Sequence, residues 1–452
     1  MEVLVNFIEE HFLGTILGMM CILQSWNYYL LWRQRTLIQQ SVDFPKSVEG
    51  IITKDTYDKA RAYALDKMNF NIVANLHSDI INVIILLTYG PYIIWQWSVG
   101  IAKYCGINHE RETLISPIYM CIINLSLEVL NLPLTVYYIF VLEEKYGFNK
   151  QTVWFFTKDT IKQFIVIDLI LFPLGYSILW IIKNSGDYFY LYLWIFLMMF
   201  ILLVMIIYPE VIAPLFDKYT PLPDGELKQK IEELAASLKF PLQKLFIVEG
   251  SVRSTHSNAY MYGFHKYKRI VLFDTLIKGY CKKNDDADKD KDKDKDKGCD
   301  INEILAILAH ELGHWKHNHT LLKFIFGQVF GAVNILMFAK LGRYGPMYRA
   351  FGFTDHQPTL IGFIIVIAYI MIPLNTILCF INVVIQRKFE FQADKFATSL
   401  GHGQYLKTSL LKLQEDNLQF PLYDKLYSSW YHSHPSVVER LEAIDETISK
   451  EK

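Results

Sequence analysis

His310, Glu311 and His314 stand at the spacing H-E-x-x-H in a stretch that reads as one amphipathic helix. Histidines four residues apart lie one above the other on a helix face, so both can aim a ring nitrogen at a single Zn²⁺. Glu311 follows the first of them, which leaves its carboxylate beside the metal, placed to take a proton from an attacking water. Catalytic zinc takes three protein ligands and keeps one position open. Downstream, Glu390-Phe391-Gln392-Ala393-Asp394 offers the rest: Glu390 as the third ligand and Asp394, one helical turn on, as the carboxylate that holds a ligand imidazole by its second nitrogen. Alone, Glu390 is an ordinary solvated helix carboxylate; beside H-E-x-x-H it reads as a ligand. The cofactor implied is one Zn²⁺ per chain.

Peptide hydrolysis builds a negative oxygen next to the metal, and a histidine aimed at it stabilises it. His434, in Tyr431-His432-Ser433-His434-Pro435, is the candidate, although Ser433 or His434 ahead of Pro435 also fits a helix start. Arg440 reads as the partner of a site carboxylate. His317 and His319 extend the zinc helix, His317 nearly on the ligand face; with three ligands assigned, both read as neighbours of the ligands or as solvated side chains. Asn258, Ala259 and Tyr260 lie between strand-like runs at 244–249 and 269–274. They are the candidate sheet edge on which a peptide substrate adds as a strand, the alternative being an ordinary hairpin turn.

The elements that must position these residues are a helix starting near residue 301, signalled by Asp300 and Glu303 at capping-box spacing, and a membrane framework. The 452 residues are 52% apolar and 15% aromatic with a net charge of −1, a balance that gives no footing for nucleic acid. Seven segments are long and apolar enough to cross a bilayer: 12–32, 78–98, 114–141, 161–182, 189–212, 322–340 and 359–385. Glu9 and Glu10 ahead of the first, without a cleavage site, make it a retained span. Glu128, Asn131 and Pro133 interrupt the third and should face a protein interior or a wet cavity; Pro173 bends the fourth.

Basic residues concentrate after span one (Arg33, Arg35, Lys46, Lys54, Lys59, Arg61, Lys67), which puts that loop, the polar block and the C-terminus in the cytosol. The organisation expected is spans one to five within 1–212, a protease block at 213–321, spans six and seven within 322–385, and the rest of the protease domain at 386–452. A near-alternating Lys-Asp run at 285–297 reads as a disordered insertion that leaves the zinc site intact, since its lysines cancel the carboxylates a calcium loop needs. The six cysteines are scattered, none at C-x-x-C spacing, and read as free.

Six segments together resemble the CAAX prenyl protease 1 family. They are Tyr57-Asp58-Lys59-Ala60-Arg61-Ala62-Tyr63-Ala64-Leu65-Asp66-Lys67, Ser257-Asn258-Ala259-Tyr260-x-Tyr262-Gly263-Phe264, Lys268-Arg269-Ile270-Val271-Leu272-Phe273-Asp274-Thr275-Leu276, the stretch from His310 to Trp315, that from Phe389 to Asp394, and His434-Pro435. The resemblance implies a polytopic α-helical membrane protein, seven transmembrane helices around a chamber capped by a zincin-like α+β metalloprotease domain. It implies a zinc endoprotease of the endoplasmic reticulum membrane, in some members also the inner nuclear membrane, whose partners are the lipid bilayer and prenylated CAAX proteins. Members remove the C-terminal tripeptide, and some make a second, upstream cut. On that template His310, His314 and Glu390 match the ligands, Glu311 the base, Asp394 the carboxylate behind a ligand, and His434 a histidine near the reacting carbonyl. The Lys-Asp run and His317 depart from the family pattern. Two alternatives remain at this stage: a quality-control zinc protease without a prenyl requirement, and a transporter or scaffold in which the zinc is structural.

Overall fold

The computed structural model describes residues 11–44, 52–108, 110–263, 268–280 and 297–451. Helices α1 (Phe12–Gln40), α2 (Lys54–Leu87), α3 (Gly90–Tyr104), α4 (Glu112–Tyr137, continued by a π turn at Tyr138–Glu143), α5 (Val153–Asn184) and α6 (Phe189–Ile207) come first. A mixed block follows, of β1 (Tyr219–Pro221), α7 (Glu226–Ser237), β2 (Leu242–Val248), β3 (Ala259–Tyr262), β4 (Lys268–Phe273) and α8 (Ile301–Lys316). The chain ends with α9 (His319–Leu341), α10 (Thr359–Ile365), α11 (Ile372–Ala397), α12 (Gly403–Asp416), α13 (Lys425–Tyr431) and α14 (Val437–Glu451).

Contacts at the helix ends sort the molecule into two faces. On one, Glu112 at the head of α4 bonds Thr359 at the head of α10 and pairs with Lys183 at the end of α5. On the other, Glu143 accepts hydrogen bonds from Tyr63 of α2 and His256 of the mixed block, Arg253 clasps Asp159 and Asp217, and Arg33 of α1 pairs with Asp424. The passes α1, α2, α4, α5, α6, α9 and the α10–α11 pair therefore alternate between faces, with the mixed block and C-terminal helices on the second. Among the described residues five helices are long and apolar enough to cross a bilayer alone, and a sixth span is the α10–α11 pair, bent by 60°. Pro373, in the first turn of α11, lacks the N–H that would continue α10. The first expected span, α1, is the exception: Gln24, Ser25 and Asn27 interrupt its apolar run and it is not among those five, although its start packs in the core of the first face and Arg33 near its end pairs on the second.

The expected span at 78–98 is corrected. Tyr89 takes a left-handed conformation (φ 53°), a Cβ on Gly90 would come within 2.7 Å of the Ile85 side chain, and Pro91 follows, so the helix stops at Leu87. The crossing is made by α2, and α3 is a separate helix on the first face. The apolar run continues through the turn, which is why it read as one span. The acidic flank at Glu9 and Glu10 and residues 285–296 of the Lys-Asp run lie outside the described residues. The cysteines among the described residues are free, as expected.

Packing is uneven along the bilayer direction. One core of Trp95, Ile115, Tyr119, Tyr348, Phe351 and Phe353 fills the first face, and another, built on the sheet and α8, fills the second. Between them a filled bundle would bury one face of every helix. Only 6% of the apolar window is buried in each of α2, α4 and α6, and 17% in α5 and α9. The membrane passes are thus packed far less closely than the two cores at their ends. Asn124, Glu128 and Asn131 recur at helical spacing along one side of α4; Asn124 bonds Asp168 of α5, whereas Glu128 and Asn131 are exposed along the membrane pass.

The sheet order is β1-β2-β4-β3, with β2 and β4 parallel and β3 antiparallel to β4 at one edge. The two strands expected from alternation are β2 and β4. Their apolar residues Ile247, Ile270 and Leu272 pack on Leu305, Leu308 and Leu312 of α8, which seats that helix on the sheet.

Candidate metal centre

Asp300 caps α8: its carboxylate accepts from the Glu303 N–H (3.0 Å) while the Glu303 carboxylate accepts from the Asp300 N–H (2.9 Å). Glu303 is buried and also receives Lys412 of α12, so the start of the helix is tied to the C-terminal part of the domain. The phase of every residue on α8 is thereby set, with His310 and His314 facing α11.

Gly313 decides how near the two helices come. A Cβ there would meet the Ala393 Cα at 3.0 Å and the Ala393 carbonyl oxygen at 3.2 Å. Only glycine allows this approach, and it brings Glu390 against both histidines. His310 Nε2 lies 3.2 Å from His314 Nε2 and 3.5 Å from Glu390 Oε2, and His314 Nε2 lies 3.3 Å from Glu390 Oε1. Metal bonds of about 2.0–2.1 Å at tetrahedral angles separate their donor atoms by roughly 3.3–3.4 Å. The two ring nitrogens and the Glu390 carboxylate, which turns one oxygen toward each ring, thus stand about as far apart as the ligands of a tetrahedral cation, and one donor atom of each residue lies within 4.8 Å of the others.

Behind these donors, His310 Nδ1 bonds Asp394 Oδ1 (2.8 Å), and Arg440 donates to both oxygens of Asp394, Nε at 2.8 Å and Nη2 at 2.6 Å. Burial alone would strip the proton from His310, but the hydrogen bonds to Asp394 and Glu390 raise it to about 9. Burial would likewise raise Glu390, yet His310, His314 and His434 hold it well below the ordinary carboxylate range. With both histidines neutral, as metal ligands must be, Glu311, Glu390 and Asp394 against the single guanidinium of Arg440 leave the group two negative charges in excess. A divalent cation balances them, and the hard-to-soft mix of two imidazoles and a carboxylate suits a transition metal.

The remaining candidates fall around this centre. His434 Nδ1 bonds Glu390 Oε2 at 2.7 Å, and its side chain is 68% exposed, so the ring touches a ligand and opens onto solvent. Its alternative role as a helix start does not hold: α14 begins at Val437, where Ser436 and Glu439 cap each other. Glu311 is half-buried and close enough for its charge to act on Arg440. Ala259 and Tyr260 lie on β3, which has one paired side, and α8 packs beside it. Asn258 precedes the strand, its carbonyl accepting from Phe273 N–H (3.1 Å) and its side chain from Ala259 N–H (2.8 Å).

Two family models cover most of the chain: CAAX prenyl protease N-terminal, five membrane helices, on residues 34–218, and Peptidase family M48 on residues 221–448. The chain is 43% identical over 454 aligned residues to the CAAX prenyl protease 1 homolog of Mus musculus, covering 96% of each. It is 35% identical to the CAAX prenyl protease 1 of Saccharomyces cerevisiae, covering 95% of this chain and 94% of that one. The crystal structure of S. mikatae Ste24p superposes with a TM-score of 0.84 at 35% identity, covering 96% of this chain and 99% of that one. The chain belongs to the CAAX prenyl protease 1 family. It is therefore a polytopic membrane metalloprotease, and a metal cofactor goes with the M48 peptidase domain.

Within this CAAX prenyl protease family member, sequence reasoning assigns Gly313 no role and does not separate His319, which is a neighbour of a ligand as one reading has it, from the solvated His317. Gly313 was passed over as filler between the histidines, though a glycine on a helix face otherwise lined by large residues signals close helix approach. His319 was grouped with His317, but the two differ. His317 is exposed, whereas His319 is 1% exposed and bonds His314. The turn at Asn318 (φ 55°) starts a new helix and swings His319 back under the site, which helical spacing continued from α8 could not foresee.

Proposed function

We propose that this chain is a zinc-dependent endoprotease that releases the C-terminal tripeptide of prenylated CAAX proteins; its relatives bear the name CAAX prenyl protease 1. His310, His314 and Glu390 hold one Zn²⁺, which when bound supplies Lewis acidity at the scissile carbonyl. The observation that carries the reading is the convergence of the His310 and His314 Nε2 atoms, 3.2 Å apart, on the Glu390 carboxylate, whose oxygens lie 3.5 Å and 3.3 Å from them, with Glu311 next to this group and not in it.

Each residue then has a task. Glu311 takes a proton from the attacking water and delivers it to the leaving amine. Asp394, held by Arg440, keeps the proton of His310 on Nδ1 and leaves Nε2 free as a donor atom. His434 orients Glu390 and offers its exposed ring edge to the developing oxyanion. Asn258, Ala259 and Tyr260 hold the substrate backbone extended along the open side of β3. Residues 213–321 and 386–452 form the protease domain, and the loosely packed membrane passes below it receive the lipid-bearing end of the substrate. The basic residues Arg33 and Arg35 near the end of α1 and Lys54, Lys59, Arg61 and Lys67 on the first turns of α2 lie on the face of the site, which supports a cytosolic site and C-terminus in the endoplasmic reticulum membrane, and in the inner nuclear membrane continuous with it.

Glu311→Gln tests the role assignment. The variant should bind Zn²⁺ as tightly as the parent and lose peptide cleavage by about 10²–10⁴-fold or more. Cleavage at the parent rate by the zinc-loaded variant would remove Glu311 from the mechanism.

A further inference from the structure

We propose that His319 is a positioning residue that fixes the tautomer and ring plane of His314, through a relay running His314, His319, Gln392. This inference rests on the metal site proposed above. His314 Nδ1 and His319 Nδ1 are 2.8 Å apart, and His319 Nε2 is 2.9 Å from Gln392 Oε1. Two ring nitrogens at that separation share one proton, because two N–H groups repel and two lone pairs leave both unsatisfied.

The position of that proton follows from what lies at each end. At one end, His314 Nε2 faces His310 Nε2 and Glu390 and can act as a ligand atom only when unprotonated. Its proton is then on Nδ1 and is donated to His319. At the other end, His319 carries its proton on Nε2 and donates it to the carbonyl oxygen of Gln392. Every donor in the chain meets an acceptor. The reverse arrangement would put a proton on the ligand nitrogen of His314 and turn the amide of Gln392 around.

The surroundings hold His319 in this plane. Its ring stacks on Phe389 with centroids 4.0 Å apart and an interplanar angle of 8°, and it is 1% exposed. Phe389, Glu390 and Gln392 are neighbours on α11. The relay therefore ties the second ligand to the same helix that carries the third, as Asp394 of that helix ties the first. The neutral His319 serves His314 as the carboxylate of Asp394 serves His310.

The test compares two replacements in the full-length protein in detergent, with Zn²⁺ affinity read by competition against a chromophoric chelator. His319→Phe keeps the stack on Phe389 and removes the acceptor. His319→Asn keeps an acceptor oxygen near the Nδ1 position and removes the ring. Phe should weaken Zn²⁺ binding by about 10- to 100-fold, the range for lost partners of metal-bound histidines, and Asn should recover most of it. Gln392→Leu, which breaks the far end without touching the ring, should weaken binding by a few-fold, and it decides the matter if the Phe variant does not fold. Parent-like affinity in both His319→Phe and Gln392→Leu would overturn the relay, as would equal losses in His319→Phe and His319→Asn. Failure of the parent itself to bind Zn²⁺ would instead sink the site on which the relay rests.

Discussion

Gly313→Ala puts a methyl group where α8 and α11 touch. The new Cβ would lie 3.0 Å from the Ala393 Cα and 3.2 Å from both the Ala393 carbonyl oxygen and the Phe396 Cβ. Carbon atoms sit comfortably at about 3.5–4.0 Å, so the helices must part by roughly 0.5 Å. Two of its close neighbours are backbone atoms, which cannot rotate aside. The donor atoms straddle that same contact, with both histidines on α8 and Glu390 on α11. A displacement of about 0.5 Å exceeds the roughly 0.2 Å within which metal-ligand distances are held. Fold stability changes little by comparison: alanine gains about 1 kcal/mol in helix propensity against an overpacking cost of about 1–3 kcal/mol. The substitution should therefore lower Zn²⁺ affinity on the order of tenfold or more while moving the unfolding free energy by about 0–2 kcal/mol. Chelator competition and thermal unfolding of the same preparation separate the two quantities. Parent affinity in a folded Gly313→Ala protein would refute the argument that this contact sets the ligand spacing.

Other expectations follow from the same geometry. Burial would raise the Asp394 carboxyl, but Arg440 and His310 bring it from 3.8 to about 2. A group whose folded pKa is depressed stabilises above its unfolded value and loses that contribution as pH falls through the folded one. Through this group metal-free protein should thus lose about 2 kcal/mol between roughly pH 4 and pH 2, and Asp394→Asn, itself destabilised by about 3–5 kcal/mol, should lose correspondingly less over that range, keeping only the share that Glu390 contributes; denaturant midpoints of both proteins check this. Replacing 285–296 by a short Gly-Ser linker should leave Zn²⁺ affinity within about twofold. Ile277 and Cys299 are already joined by the backbone bonds Cys299 N–H to Leu276 O (2.8 Å) and Lys278 N–H to Cys299 O (3.2 Å), so the cut spans a closed loop; loss of metal from a folded deletion protein would show that the insertion supports the site.

How far the molecule could be read from its sequence depends on how local each signal is. The capping box at Asp300 and Glu303 and the four-residue spacing of His310 and His314 are properties of one helix, and both are found as read. Strands β2 and β4 declared themselves by alternation. Arg440 was read as the partner of a site carboxylate, and that carboxylate is Asp394. The misreadings lie where tertiary geometry overrides a local pattern. The apolar run through Tyr89, Gly90 and Pro91 hid the end of α2, because hydropathy does not register a left-handed turn. His319 acquired its place from the turn at Asn318 and from Phe389 and Gln392, seventy residues downstream, and no periodicity connects those.

The most direct test of the account is cleavage of a farnesylated CAAX peptide by the purified protein in lipid, run beside its unprenylated twin and the Glu311→Gln variant. The account predicts release of the C-terminal tripeptide from the prenylated peptide, little from its twin and none from the variant. Equal cutting of both peptides would contradict the prenyl-specific assignment, and no cutting by zinc-loaded parent protein would contradict the catalytic reading of the metal centre.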